Sequence, residues 1–452
     1  MNFAELGLNA GTLERLESLN YHTPTDVQRE AVPAILAGKD VIAQASTGTG
    51  KTAAFSLPLV QRLVTAASEP EPRVLILAPT RELVAQLAEK LAIYSAGSGL
   101  NITALYGGAN IQVQRKQLAS GCDIVIATPG RLFDLLGQQA ISLDAIEYWV
   151  IDEADRMLDM GFVPDVEKLS RILPGKRQTL LFSATFDDSV QGLAAKITHN
   201  AEQIALTSQR VPSLLSQQLL LLASSRKAEW LAEYVGKNNL QQVLVFTSTK
   251  QAADDLAKEL TLDGIRTQAF HGDKTQGARM RALEAFKTLN CRVLVATDLA
   301  ARGLDITALP LVVNFSLPDS AEDFIHRIGR SARAGQAGMA ITLISPSERL
   351  AWQEVAALLD DAPEMVTPEG YALNKDSVHI QHQAAPNPAK KVFHHRKKRA
   401  ATNSQGIKPH GNKSGSKFKN DKPQGGRTSG GDSGQQGNRS GKFSRNNKPS
   451  SK

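Results

Sequence analysis

The sequence predicts two tandem doubly wound α/β domains followed by a disordered basic tail, and three observations carry that reading. From about residue 40 to 350, short β-branched apolar runs alternate with longer helical stretches. Runs this apolar, spaced by helices, suit strands of a parallel sheet buried on both faces. The runs also fall into two series of five. The first is Asp40–Ala45, Arg73–Thr80, Asp123–Thr128, Tyr148–Ile151 and Gln178–Ser183; the second is Gln241–Thr247, Arg266–His271, Arg292–Thr297, Leu311–Phe315 and Met339–Ile344. One sheet per series gives two domains. Finally, the alternation stops after about Pro368, and from Ala385 the chain is Pro, Asn, Ser, Gly, Gln and Lys with almost nothing to bury. The expected division is a first domain at 1–207, a linker at 208–212, a second domain at 213–367 and a tail at 368–452.

The 452 residues are enough for two or three domains of roughly 150 residues each. The net charge of +7 is unevenly placed: residues 390–452 hold 17 Lys and Arg against 2 Asp and Glu, leaving 1–389 at −8. A tail this basic, with Phe393, Phe418 and Phe443 spaced along it, suits a polyanion, nucleic acid before anionic membrane. No apolar run approaches the roughly 18 residues of a membrane-spanning helix. The opening Met1-Asn2-Phe3-Ala4-Glu5 has neither the basic nor the apolar region of a secretion signal, so a cytoplasmic protein is expected. Cys122 and Cys291 offer neither a disulfide framework nor zinc spacing and read as small core hydrophobes.

The first run leads into Ala45-Ser46-Thr47-Gly48-Thr49-Gly50-Lys51-Thr52 and then a helix. Gly48 and Gly50 let the backbone wrap phosphates at the positive end of that helix. Lys51 is placed for the β- and γ-phosphates, and the Thr52 hydroxyl for Mg²⁺. Ala45 stands where the general phosphate loop begins with Gly. The fourth run ends in Asp152-Glu153-Ala154-Asp155, where one carboxylate can join the Mg²⁺ shell and its neighbour can orient or deprotonate water. Together these residues predict Mg²⁺-dependent hydrolysis of a nucleoside triphosphate, without choosing the base. The second series has no Gly-Lys-Thr. It carries His326-Arg327-Ile328-Gly329-Arg330-Ser331-Ala332-Arg333, whose arginines share a face at three-residue spacing. They suit a phosphate clamp or arginine fingers, and equally a solvated basic helix.

Over about residues 1–350 the chain resembles the DEAD-box RNA helicases. Tyr21-x-x-Pro24-Thr25-x-x-Gln28, with Phe3 upstream, resembles the Q motif, and Ala45–Thr52 resembles motif I. Pro79-Thr80-Arg81-Glu82-Leu83, Gly107-Gly108 and Thr128-Pro129-Gly130-Arg131 resemble motifs Ia, GG and Ib. Asp152–Asp155 gives the family its name, and Ser183-Ala184-Thr185 resembles motif III. Val245-Phe246-Thr247-x-Thr249, Gln276-x-x-Arg279, Ala296-Thr297-Asp298 through Arg302-Gly303-x-Asp305, and His326–Arg333 then follow in the family's order.

The resemblance implies two RecA-like domains and an ATP-dependent RNA helicase that locally unwinds short duplexes or remodels RNA–protein complexes. It implies ATP with Mg²⁺, the latter held by Thr52 and, through water, Asp152. Gln28 would read the adenine edge and Tyr21 would stack on the ring. The phosphate loop Ala45, Ser46, Thr47, Gly48, Thr49, Gly50, Lys51 and Thr52 would hold the phosphates, and Asp305 the ribose. Lys51, Asp152, Glu153, Arg330 and Arg333 would be catalytic, the last two as arginine fingers. Asp155, Ser183, Thr185 and His326 would couple nucleotide state to the cleft. Thr80, Arg81, Gly108, Thr128, Arg131, Thr247, Arg279, Thr297 and Gly303 would bind the RNA backbone, which positions a strand without reading bases. RNA would be told from DNA by its 2′-hydroxyls.

Ser331-Ala332 departs from the family's Thr-Gly, and Asn20 from the Gly usual before Tyr21. The stretch His271–Arg279 is most similar to the bacterial RhlE-like branch, which implies settings in ribosome assembly or RNA decay. Two rivals share these features: an ATP-gated RNA clamp that unwinds little, and a passive RNA chaperone dominated by its tail.

Overall fold

The computed structural model describes residues 2–45, 48–64, 71–206, 214–301, 306, 309–318, 320–332, 337–357, 359 and 361–373. The expected linker 208–212, the tail beyond 373, and Ser46, Thr47, Gly303, Asp305 and Arg333 lie outside them.

Two lobes follow one another along the chain, each built on a parallel sheet. The strands of the first are β1 (Val41–Gln44), β2 (Val74–Leu77), β3 (Ile102–Leu105), β4 (Ile124–Ala127), β5 (Tyr148–Ile151), β6 (Gln178–Ser183) and β7 (Glu202–Ala205). They are ordered β3-β4-β2-β5-β6-β1-β7. Those of the second are β8 (Leu215–Leu221), β9 (Val243–Thr247), β10 (Thr267–Phe270), β11 (Val293–Thr297), β12 (Leu311–Asn314), β13 (Gly338–Ile344) and β14 (Met365–Val366). Their order is β10-β11-β9-β12-β13-β8-β14.

Alternation across the pleat explains why the central runs are apolar throughout. Val41, Ala43, Val74 and Ile76 join one core cluster on one face of the first sheet. Ile42, Leu75, Leu77 and Trp149 join a second cluster on the other. Burying one such side chain contributes roughly 1.5–3 kcal/mol, and both faces are covered by helices. Cys122 and Cys291 are free and buried in these cores, as expected of small hydrophobes. Among the described residues no helix is long and apolar enough to cross a membrane.

Each expected run contains a strand, but among the described residues each sheet has seven strands rather than five. The four missed strands are β3, β7, β8 and β14. Three of them lie at sheet edges and β8 is next to one. They are half-exposed over much of their length and so lack a continuous apolar run. The packing of the second lobe also passes the expected boundary at 367. Tyr371 is buried in the core with Trp230 and Leu231, and its hydroxyl donates to Glu233 at 2.6 Å. The Arg226 guanidinium lies 4.1 Å from the Tyr371 ring centroid and donates to the Gly370 carbonyl.

Candidate active site and nucleic-acid interface

The strand order brings three expected motifs side by side. β6 lies between β5 and β1, so the carboxyl ends of β5, β6 and β1 deliver Asp152, Ser183 and Ala45 to one edge of the sheet. Open parallel sheets bind ligands at that edge. Beyond β1, Gly48 and Gly50 take left-handed φ angles of +83° and +93°, and the helix Lys51–Val64 follows. Gly50 also lies against Gln28, whose Nε2 a Cβ there would meet at 2.4 Å and displace. Lys51 is 7% exposed, and its ammonium has no hydrogen-bond partner among the described residues. A buried ammonium with a glycine turn beside it fits an incoming phosphate.

Gln28 is buried against this loop. Its Nε2 donates to the Gly50 carbonyl at 3.1 Å, and its Oε1 accepts from the Thr25 N–H at 3.0 Å. The expected adenine contact would use the amide's second N–H and second lone pair, while the bonds already made hold the phosphate loop. Tyr21 is 41% exposed and stands edge-on to Tyr94, leaving a face open to a base. Phe3, by contrast, is buried with Val32, Leu57 and Tyr94, so it supports the fold under this region.

The acidic cluster divides its labour. Burial pushes the Asp152 carboxyl up to about 6, with Lys51 opposing and Glu153 adding to the rise. Asp155 is held below its ordinary value, because Lys51, Arg156 and the Ala184 N–H together outweigh its burial. Its Oδ2 accepts from the N–H groups of Ala184 and Thr185 at 2.9 and 3.2 Å, and its own N–H donates to Ser183 Oγ. Asp155, Ser183 and Thr185, the residues expected to couple, are thus in direct hydrogen-bonded contact. Glu153 adopts φ +56°, an uncommon strain for a non-glycine residue, and pairs with buried Arg156 at 2.8 Å.

The second lobe faces this cluster. Arg156 and the second-lobe residues His326, Arg327 and Arg330 line one small cleft. Burial lowers the His326 pKa to about 4, with Arg156 and Arg330 lowering it further while Asp155 and Asp323 oppose. Its imidazole is therefore neutral near pH 7. Arg327 and Arg330 do not share one helical face. The helix Ala321–Ile328 ends before Arg330, which lies in the following turn. Arg327 is fully buried and pairs bidentately with Asp298 at 2.5 Å, with further bonds to Asn314 and the Ser316 carbonyl. It braces the fold and does not reach for phosphate. Ala332 takes φ +52° at the position where the family carries Gly.

A cleft of about 1100 Å³ runs between the lobes, and Thr80, Arg81, Thr128, Arg131, Arg279 and Thr297 line it. Gly108 backs onto it, since a Cβ there would meet Arg81 Nη1 at 2.5 Å. Thr247 is fully buried at the end of β9, where its hydroxyl donates to the Thr249 carbonyl; it supports the wall of the cleft and does not line it. Arg131 is oriented by Gln114 Oε1 and the Ala109 carbonyl. Glu82 ties the lobes together, accepting from Gln276 at 2.8 Å and Arg279 at 2.9 Å. Sequence reasoning gave Glu82, Arg156, Gln114 and Asp298 no role. Glu82, Gln114 and Asp298 act through partners distant in the chain that local spacing cannot reveal, although Glu82 and Asp298 sit inside quoted motifs; Arg156 pairs locally with Glu153, but the second-lobe residues it meets are distant.

Two parallel-sheet lobes, a phosphate-loop site at one sheet edge and a polar cleft between the lobes define a two-lobed helicase core. The DEAD/DEAH box helicase family matches residues 25–193, and the Helicase conserved C-terminal domain matches residues 226–335. The structure is similar to Saccharomyces cerevisiae Dbp5 bound to RNA and ADP BeF3. The TM-score is 0.73 at 30% identity, over 81% of this chain and 95% of that one. Mss116p bound to ssRNA and AMP-PNP gives a TM-score of 0.71 at 29% identity, over 81% and 79%. In sequence the chain is 39% identical over 347 residues to the ATP-dependent RNA helicase CshA of Listeria monocytogenes, and 40% identical over 349 residues to the DEAD-box ATP-dependent RNA helicase CshA of Streptococcus pneumoniae. Those matches take in 76% and 77% of this chain and 66% of each relative's own length. The chain belongs to the DEAD/DEAH box helicase family.

The left-handed Ala332 gives a stability prediction. Ala332→Gly removes a steric cost of about 1–2 kcal/mol, partly offset by glycine's greater freedom in the unfolded chain. The variant is expected to melt higher by about 1 kcal/mol of stability; an unchanged or lower melting temperature contradicts the strain.

Proposed function

We propose that this chain is an ATP-dependent RNA helicase in which ATP and RNA together hold the lobes closed, a short duplex is opened locally, and hydrolysis releases it. The observation that carries the reading is the joint construction of both sites. The buried Lys51 ammonium, without a hydrogen-bond partner among the described residues, faces the acidic cluster on one side, while residues of both lobes line the cleft. RNA-bound and nucleotide-bound relatives of the same fold support it. ATP is favoured by the Tyr21 face and the remaining valences of the Gln28 amide. Asp305 and Arg333 complete the ribose contact and the second finger by family resemblance.

Mg²⁺ fits the site, since a divalent cation between the phosphates, Thr52 and, through water, Asp152 offsets the carboxylate's desolvation. Bound there, it neutralises charge developing on the phosphates. Lys51 binds the β- and γ-phosphates, Glu153 orients the attacking water, and Arg330 approaches from the second lobe. The partners proposed are single-stranded RNA and short duplexes, held by their backbones, and proteins of ribosome assembly or RNA decay; the setting is cytoplasmic. Placement in the RhlE-like branch rests on His271–Arg279, whereas the relatives quoted above carry the CshA name. The basic tail is proposed as a tether to structured RNA.

Steady-state ATPase with and without RNA, against a matched DNA strand, tests the main reading. Turnover is expected to rise with RNA, hardly with DNA, and to vanish in Lys51→Ala. Equal rates with no nucleic acid, RNA and DNA would move the clamp or chaperone reading ahead. The Mg²⁺ concentration for half-maximal turnover should climb as pH falls through about 6, where the Asp152 carboxylate takes up a proton; a flat dependence between pH 7 and 5 removes Asp152 from the Mg²⁺ shell. Deleting 385–452 is expected to weaken RNA binding and flatten its salt dependence with basal ATPase intact, whereas an unchanged salt slope makes the tail a mere solubilising extension.

A further inference from the structure

What holds Arg330 in place lies outside the arginine pattern itself. Arg330 is 4% exposed and reaches the small cleft shared with Arg156. Its carbonyl accepts from the Leu309 N–H at 3.1 Å. The next residue, Ser331, is fully buried, and its Oγ donates to the Leu309 carbonyl at 2.7 Å. Leu309 and Ser331 thus form an isolated parallel bridge. Leu309 is itself anchored, 1% exposed in a core cluster with Phe246, Leu294 and Val312 just ahead of β12. On the other side the turn rests on Gly338, where a Cβ would meet Ser331 Oγ at 2.0 Å and the Ala332 nitrogen at 2.5 Å. The absent side chain of Gly338 is the seat of the Ser331 hydroxyl.

We propose that Ser331, latched to Leu309 and seated on Gly338, is a positioning residue that fixes the aim of Arg330 across the lobes. This rests on the reading of Arg330 as a group that meets the nucleotide. An arginine is a long lever, so a small shift of its backbone displaces the guanidinium by an ångström or more, enough to lower turnover on the order of a hundredfold when the group acts on the transition state. Removing the hydroxyl also leaves the Leu309 carbonyl buried with one hydrogen bond fewer, which loosens the bridge.

The test is RNA-saturated ATPase of the full chain. Ser331→Ala is expected to lower kcat about tenfold or more with the KM for ATP within about twofold, and Ser331→Thr, which restores the hydroxyl, to recover kcat. Arg330→Ala should lower kcat strongly, and Arg330→Ala/Ser331→Ala should be no slower than Arg330→Ala alone, because the two act as a unit. Wild-type kcat in Ser331→Ala beside an impaired Arg330→Ala overturns the latch and leaves the Arg330 reading standing. Wild-type kcat in Arg330→Ala removes that reading and the latch with it. A further loss in the double variant shows that Ser331 acts elsewhere and overturns the proposal. Melting curves check folding. Should Ser331→Ala not fold, Ser331→Cys keeps the volume with a weaker donor: a kcat loss is expected, and wild-type kcat overturns the latch.

Discussion

A buried positive charge without a hydrogen bond is costly, and among the described residues Lys51 has none. Water is excluded from its ammonium, and the field of Asp152 and Asp155 offsets part of that cost. That arrangement persists because β1 and β5, which lead to these residues, are held on either side of β6 in a sheet buried on both faces. The same constraint sets the neighbours apart. Burial raises the Asp152 carboxyl to about 6, while Asp155 spends its oxygens on the backbone after β6 and is held below its ordinary value.

The coupling between lobes follows from how those bonds continue. Asp155 holds Ser183–Thr185; its neighbour Arg156 holds Glu153 and reaches the small cleft where His326 and Arg330 arrive from the second lobe. At the larger cleft, one carboxylate, Glu82, takes both Gln276 and Arg279. Each lobe therefore presents part of each site, and any ligand that bridges them favours the closed arrangement over an open one.

The sequence was most legible where chemistry is contiguous. Gly48–Thr52 and Asp152–Asp155 are short strings at strand ends, and the structure places them together. The roles of Gln28, Tyr21 and His326 needed the family resemblance, because each is an ordinary residue type whose meaning lies in what it faces. Gln28 turned out to brace Gly50 as well. Arg327 was grouped with the phosphate-facing arginines, yet burial beside Asp298 makes it structural, since the turn after Ile328 breaks the face that spacing suggested. The edge strands β3, β7 and β14, and the last turn of chain through Tyr371, were missed because half-exposed segments carry mixed composition. Glu82 was silent because its partners lie far along the chain, beyond any local window, and Arg156 because the second-lobe residues it meets in the small cleft do too.

The central claim is that the nucleotide and RNA sites are two halves of one closure. Its most direct test is linkage: the affinity of a non-hydrolysable ATP analogue with and without saturating single-stranded RNA, and the affinity of RNA with and without the analogue. The account predicts that each ligand tightens the other by the same factor, on the order of 5–150-fold, as linkage requires. Affinities that are indifferent to the second ligand would contradict it.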